Sequence, residues 1–265
     1  MNVTVLGSGS RGNSLVVDFG TSRIAVDAGY GTRTLATRMR AAGIAPASVD
    51  ACALTHEHVD HAQGAIAARD KWHWTLVATG PTLAAIGAGN AAAHTQPLRY
   101  GESAAFGDAR VTLIPVSHDA AAPAAVLIEH APSGARIGVA QDLGEVSDAL
   151  ITAFARLDIL VLEANHDAGM LRAGPYPSFL QDRIAGSRGH LSNAQSADFV
   201  AQVSHRGLRA LVLAHLSRQN NTPELARTSL RAVLRGTRFR GMLLAAAQDA
   251  PGTVGDRATT QLTLF

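Results

Sequence analysis

Short apolar runs alternate along the chain with amphipathic stretches, the pattern of strands and helices following one another in a layered α/β fold. Runs at 2–6, 14–19 and 23–27 predict three short strands separated by glycine-rich or polar turns. Residues 32–43 carry apolar positions at helical spacing and stop at Gly43. A strand at 51–55 and a helix at 62–70 follow, then strands at 75–79, 103–106, 110–116, 124–130 and 135–140. Helices at 147–155, 192–204 and 222–235 alternate with strands at 158–163, 208–214 and 239–247. Hairpins dominate two stretches, so two mixed β-sheets are expected rather than a single run of βαβ units. Residues 164–191, rich in Gly, Pro, Asn and His, read as a long irregular loop, and such loops in compact domains usually carry function.

With 265 residues, 47% of them hydrophobic, the chain can bury a sizeable core in one large domain or two small ones. Its one cysteine, Cys52, rules out an internal disulfide and sits in an apolar strand, which assigns it to packing. The first residues lack a basic segment followed by a long apolar run, and no stretch reaches the roughly 20 apolar residues of a membrane span. A cytoplasmic, soluble protein is therefore expected. The formal charge of +2 is carried almost wholly by arginine, since Lys71 is the one lysine. Arginine suits bidentate phosphate contacts, so the charge permits a nucleic-acid partner without requiring one.

The densest chemistry lies at His56-Glu57-His58-Val59-Asp60-His61. In an extended segment His56 and His58 point to one side and can reach one ion. Asp60 and His61 stand where the loop becomes a helix and can serve a second ion. Imidazole and carboxylate together suit zinc, manganese or iron. Three further candidates follow apolar strands: His118, Asp142, whose short carboxylate can bridge, and His215. By contrast, Gly7-Ser8-Gly9-Ser10-Arg11-Gly12 matches a dinucleotide fingerprint only in spelling. That fingerprint needs a helix directly afterwards, and residues 14–19 read as a strand.

On these residues the chain resembles the metallo-β-lactamase-fold hydrolases, with H-x-H-x-D-H at 56–61 and His118, Asp142 and His215 in the expected order. The resemblance extends from Gly7 to about Gln248. Secondary motifs make it most similar to the YycJ/WalJ group of DNA exonucleases: Gly7 to Ser14, Asp142-Leu143-Gly144, Glu163 to Asp167, Gly189 to Asn193 and His215 to Asn221. It implies a four-layer αββα sandwich of two mixed β-sheets in residues 1–248 and two divalent ions, zinc or manganese. By the same resemblance His56, His58 and His118 hold one ion, Asp60, His61 and His215 the other, and Asp142 bridges. Asp60 would orient the attacking hydroxide, His190 would protonate the leaving oxygen, and Glu163 would orient His190. Ser10, Asn13, Asn165, His166, Arg218 and Asn220 are candidate substrate contacts. His73, His94, His130 and His205 stand outside any motif and read as fillers.

Residues 249–265 read as a flexible tail ending in Gln261-Leu262-Thr263-Leu264-Phe265. That pentamer resembles the bacterial sliding-clamp-binding motif, in which Gln261 would enter a polar pocket and Leu262, Leu264 and Phe265 complete the peptide, the last two as apolar anchors. The alternative is a short strand added to a sheet edge. The expected activity is 5′-to-3′ DNA exonuclease action in replication or repair. A diesterase for small cyclic phosphates remains a rival, as does a clamp-bound adaptor with incidental catalysis. A tRNA-processing nuclease would be expected to carry a long glycine-rich arm, and no insertion of that size is present.

Overall fold

A computed structural model describes residues 1–89 and 93–256. The strands of the first half are β1 (Asn2–Gly7), β2 (Ser14–Asp18), β3 (Arg23–Val26), β4 (Ala51–Ala53), β5 (Thr75–Ala78) and β6 (Thr95–Pro97). The rest are β7 (Ser103–Phe106), β8 (Ala109–Pro115), β9 (Ala124–His130), β10 (Ala135–Ala140), β11 (Ile159–Glu163), β12 (Ala210–Ala214), β13 (Met242–Ala245) and β14 (Gly252–Gly255). Helices are α1 (Thr32–Ala41), α2 (Val59–Ala62), α3 (Ala65–Trp72), α4 (Gly80–Ala85) and α5 (Asp148–Ala153), then α6 (Ala168–Ala173), α7 (Ser178–Ala185), α8 (Asn193–Val203) and α9 (Pro223–Leu234).

Two sheets form, in the orders β14-β1-β2-β3-β4-β5-β6 and β13-β12-β11-β10-β9-β8-β7. Each is antiparallel through one half and parallel through the other, with the change at β3 and at β10. Strand alternation decides the layers. Val3, Val5, Val17 and Ile24 face Val111, Val126, Val139 and Val161 of the other sheet in the central core. Their neighbours Leu6, Val16 and Cys52 face outward, onto Leu35 and Met39 of α1. On the opposite side Leu160, Leu162, Leu211 and Leu213 pack on Phe199 and Leu230 from α8 and α9. The expected αββα sandwich is what the chain builds. Cys52 is buried, as its packing role requires.

The differences from expectation are local. The helix expected at 62–70 is two shorter ones, α2 and α3, parted by Gln63 and Gly64, because Gly64 N donates to the Ala28 carbonyl at 2.8 Å while the Asp60 carbonyl accepts from Asn13 N at 2.7 Å. The stretch 164–191 is not irregular throughout: α6 and α7 lie within it, α6 capped by the Asp167 carboxylate accepting from Met170 N at 2.9 Å. The tail expected from residue 249 instead returns as β14, antiparallel to β1 with Val254 opposite Val3. Its sequence, Gly-Thr-Val-Gly, has one apolar residue and carries no strand signal of its own. Gln261, Leu262, Leu264 and Phe265 lie outside the described residues. Among the described residues no helix is long and apolar enough to cross a membrane.

Candidate metal centre

The ligand candidates collect at one edge because of strand direction. β3, β4, β10, β11 and β12 all end there, and β8 ends with them because it and β10 are both antiparallel to β9. Asp27 follows β3, His56 follows β4, His118 follows β8, Asp142 follows β10, Glu163 closes β11 and His215 follows β12. Ligand sites at the carboxyl ends of parallel strands are the rule for such sheets. Three of these residues bend the chain through the left-handed region: Asp27 (φ 60°), Asp142 (φ 54°) and His215 (φ 50°). Non-glycine residues held there mark positions where side-chain placement outweighs backbone comfort.

Four imidazoles are fixed through Nδ1, which leaves Nε2 for the cavity. His61 Nδ1–H donates to Asp27 Oδ2 at 2.7 Å. His56 Nδ1–H donates to Thr55 Oγ1 at 3.0 Å, and that hydroxyl donates on to Asp27 Oδ2 at 2.9 Å. His118 Nδ1–H donates to the Gly189 carbonyl at 3.0 Å, and His215 Nδ1–H to Glu163 Oε1 at 3.2 Å. Such partners set the tautomer and the ring orientation of metal-binding histidines. Asp27 was missed at the level of sequence. The one available signal was an acidic residue directly after an apolar strand, which many surface turns share.

The short helix α2 is clamped from behind by two segments. Asn13 N donates to the Asp60 carbonyl at 2.7 Å and Ala28 N to the His61 carbonyl at 2.7 Å. Gly29 presses so close to the Asp60 carbonyl that a Cβ would collide with it. The Gly7–Gly12 loop serves the same end: Ser8 Oγ accepts from His215 N at 2.8 Å and donates to Asn13 Oδ1 at 3.1 Å. β2 follows the loop, so no helix N-terminus faces it, as the sequence pattern predicts.

The donor atoms form three clusters: His56, His58 and His118; Asp60, His61, Asp142 and His215; and Asp142, Glu163, His190 and His215, the last two sharing Asp142 and His215. Within each, the candidate atoms lie within 4.8 Å of one another. Asp142 Oδ2 stands 3.3 Å from His56 Nε2 and 2.8 Å from His61 Nε2, one histidine from each of the first two clusters. His56 Nε2 and Asp142 Oδ1 are buried with no well-directed hydrogen bond, Asp142 Oδ1 lying 2.9 Å from His215 Nδ1 as an ion pair. Buried polar atoms seldom go unpaired, so this donor set fits divalent cations. Protonation reflects the crowding. Burial and then His61 hold His56 well below its usual pKa, while the Asp142 and Asp27 carboxylates overcome burial at His61 and push it up to about 10.

His190 stands beside these clusters, its Nδ1 2.7 Å from Glu163 Oε1 and 3.4 Å from Asp142 Oδ1. Burial opposes its charge, but the buried Glu163 carboxylate dominates and pushes its pKa up to about 9. Glu163 Oε2 accepts from Leu143 N at 3.1 Å and Leu191 N at 3.2 Å, which fixes the carboxylate. Ser192 begins α8 in a reciprocal capping box with Gln195.

A cavity of about 220 Å³ opens onto His58, Asp60, His118, Asp142, His190 and His215, with Ser10 at its rim. The other expected substrate contacts do not line it. Asn13, Asn165, His166 and Asn220 are buried. Asn165 Nδ2 donates to the His215 carbonyl at 3.0 Å and so positions that ligand candidate, whereas Asn13 Nδ2 lies 2.9 Å from His61 Nε2, the atom an ion would take. Arg218 is exposed and paired with Asp249. Lining the cavity but absent from the sequence-based expectation are Asp119, Leu180, Arg183, Ile184 and Arg188.

The beta-lactamase superfamily domain matches residues 22–216. The exodeoxyribonuclease WalJ of Streptococcus pneumoniae serotype 2 is 30% identical over 232 residues, 86% of each chain. The exodeoxyribonuclease YycJ of Bacillus anthracis is 33% identical over 237 residues, 88% of this chain and 89% of that one. Among solved structures, the metallo-β-lactamase-fold protein YhfI of Bacillus subtilis superposes with a TM-score of 0.68 at 18% identity, covering 94% of this chain and 98% of that one. With this fold and these His/Asp clusters, the chain is a metal-dependent hydrolase that belongs to the metallo-β-lactamase-fold superfamily and, within it, to the WalJ/YycJ group.

Proposed function

We propose that the chain is a phosphodiesterase with two divalent ions, zinc or manganese, that removes nucleotides from DNA in the 5′-to-3′ direction. The observation that carries the reading is the approach of the all-histidine cluster to Asp142 of the second cluster, 3.3 Å from His56 Nε2, with Glu163-bound His190 on the same cavity. His56, His58 and His118 would hold one ion and Asp60, His61 and His215 the other, with Asp142 shared. Bound there, divalent cations acidify water and offset phosphate charge. Asp60, fixed by α2, would orient towards phosphorus the hydroxide left once that acidified water has given its proton to solvent. As the phosphorus–oxygen bond to the leaving group breaks, the proton on His190 passes to that oxygen. Glu163 acts through His190 by holding the ring and keeping it charged. DNA is favoured as substrate because WalJ and YycJ bear the name exodeoxyribonuclease over nearly the full length of the match.

The C-terminal Gln261, Leu262, Leu264 and Phe265 would recruit the enzyme to the DNA sliding clamp in the cytoplasm, during replication or repair. Their resemblance to the clamp-binding peptide supports this. The test uses 5′- or 3′-labelled duplex DNA, matched RNA and a small cyclic phosphodiester, each with added zinc or manganese. Stepwise nucleotide release from the DNA 5′ end, absent in Asp60→Ala, is expected. Intact DNA alongside a hydrolysed small diester would replace the reading with a small-molecule one. Loss of clamp binding on removing residues 261–265 tests the recruitment step separately.

A further inference from the structure

The wall of the cavity opposite α2 belongs to α7 and the turn that follows it. Leu180, Arg183 and Ile184 share one helical face towards the cavity, and Arg188 and Gly189 continue the wall. The wall is held rigidly. His190 N donates to the Ile184 carbonyl at 2.8 Å, and Gly144 packs so closely on Ser187 that no Cβ would fit between them. The Arg172–Asp182 pair at 2.6 Å ties α6 to α7.

Two features of this wall add little to the stability of the fold. Arg183 and Arg188 are each 67% exposed and share one carboxylate, Asp119, at 2.7 Å and 3.7 Å. Exposed pairs of this kind contribute little stability, and two guanidiniums on one carboxylate leave a surplus positive charge beside the catalytic cavity. One turn before Arg183 on the same side of the helix stands Phe179, 72% exposed. Among the described residues the most exposed large hydrophobics are Phe179 and Val59, and Val59 lies between the cavity-lining His58 and Asp60. Apolar surface left open next to cavity-lining residues, beside surplus positive charge, suits a ligand with both a flat apolar face and negative charge.

We infer that α7 is the nucleotide-binding wall of the enzyme: Arg183 and Arg188 take the backbone phosphate next to the one being cleaved, and Phe179 stacks on its base. This rests on the phosphodiesterase reading above and names the residues that select a single-stranded DNA end. Asp119 holds the arginines in place until a phosphate displaces it. Guanidinium forks match phosphate oxygens, and stacking on an aromatic face tolerates any base. The wall therefore favours nucleic acid over small diesters without reading sequence.

The test measures binding of the metal-loaded protein to a fluorescent single-stranded oligonucleotide whose phosphorothioate linkages resist cleavage, by anisotropy over a salt series. Arg183→Ala/Arg188→Ala is expected to weaken binding about tenfold or more and to lower the salt slope by about 0.7 for each phosphate no longer neutralised. Phe179→Ala is expected to weaken binding severalfold, and an abasic terminal nucleotide should erase most of that difference. Arg231→Ala/Arg235→Ala, an exposed pair on α9 and just after it, controls for general charge loss. In parallel, the KM for a cleavable oligonucleotide should rise several times more than that for bis(4-nitrophenyl) phosphate. Wild-type affinity and salt slope in the arginine variant would overturn the inference, as would an equal loss on both substrates. If the wild type cuts no DNA yet the arginine variant loses oligonucleotide affinity, the exonuclease reading fails and the binding wall stands.

Discussion

The two sheets supply the candidate metal centre in different ways. The first sheet delivers His56, His58, Asp60 and His61 from six consecutive residues, on one loop and the short helix α2. The second delivers His118, Asp142, Glu163 and His215 one at a time from the ends of β8, β10, β11 and β12, with His190 just ahead of α8. The supports differ too. Behind the first set stands a single buried carboxylate, Asp27, which orders Thr55, His56 and His61 together. Behind the second set the two strand-end histidines have separate anchors: the Gly189 carbonyl for His118, and Glu163 and Asn165 for His215. A contiguous motif needs one keystone, whereas dispersed ligands need the sheet itself to set their register.

Asp142 is where the two halves meet, and its removal should have the largest effect. Asp142→Ala would remove the carboxylate that the proposal shares between the two ions, and its activity is expected to fall to that of chelator-treated enzyme, read by hydrolysis of bis(4-nitrophenyl) phosphate. His190→Ala comes next, with kcat expected to drop roughly 10²–10⁴-fold, the usual contribution of a general acid, while metal content holds. A variant that also lost metal would make His190 a ligand instead.

Asp27→Asn probes the keystone of the first half. It keeps the shape and removes the charge behind His61, so metal affinity is expected to fall about 10–100-fold, measured by competition with a fluorescent chelator. Weakening should be greater than that from Asn165→Ala, which touches one ligand only. The smallest change is expected from Glu163→Gln. Glu163 raises the pKa of His190, so removing its charge lowers that pKa and shrinks the protonated fraction on the alkaline side. The alkaline limb of the rate profile should therefore move to lower pH, whereas a role confined to folding would leave the limb in place.

The same contrast explains what could be read from the chain. His56 to His61 is legible because spacing along one strand and one helical turn dictates which side chains converge. Val3, Val16, Leu160 and their neighbours reveal two buried sheets through alternation and apolar runs. His118, Asp142 and His215 each follow an apolar strand, but many polar residues do, so their order along the chain and the family resemblance had to join them. Asn13, Asn165, His166 and Asn220 share motifs with the ligands, and motif membership does not say whether a side chain faces the cavity or lies behind it. Burial, which puts them behind, depends on packing between distant segments. Asp27, Arg183 and β14 were hidden for the same reason: their partners are His61, Asp119 and β1, all far away in sequence.

The central claim is a two-ion centre assembled from both halves around Asp142. The most direct measurement is anomalous diffraction from crystals of the zinc- or manganese-loaded protein. Two peaks about 3.5–4 Å apart are expected, with one Asp142 carboxylate between them. A single peak at His56, His58 and His118, with Asp142 bound to no metal, would contradict it.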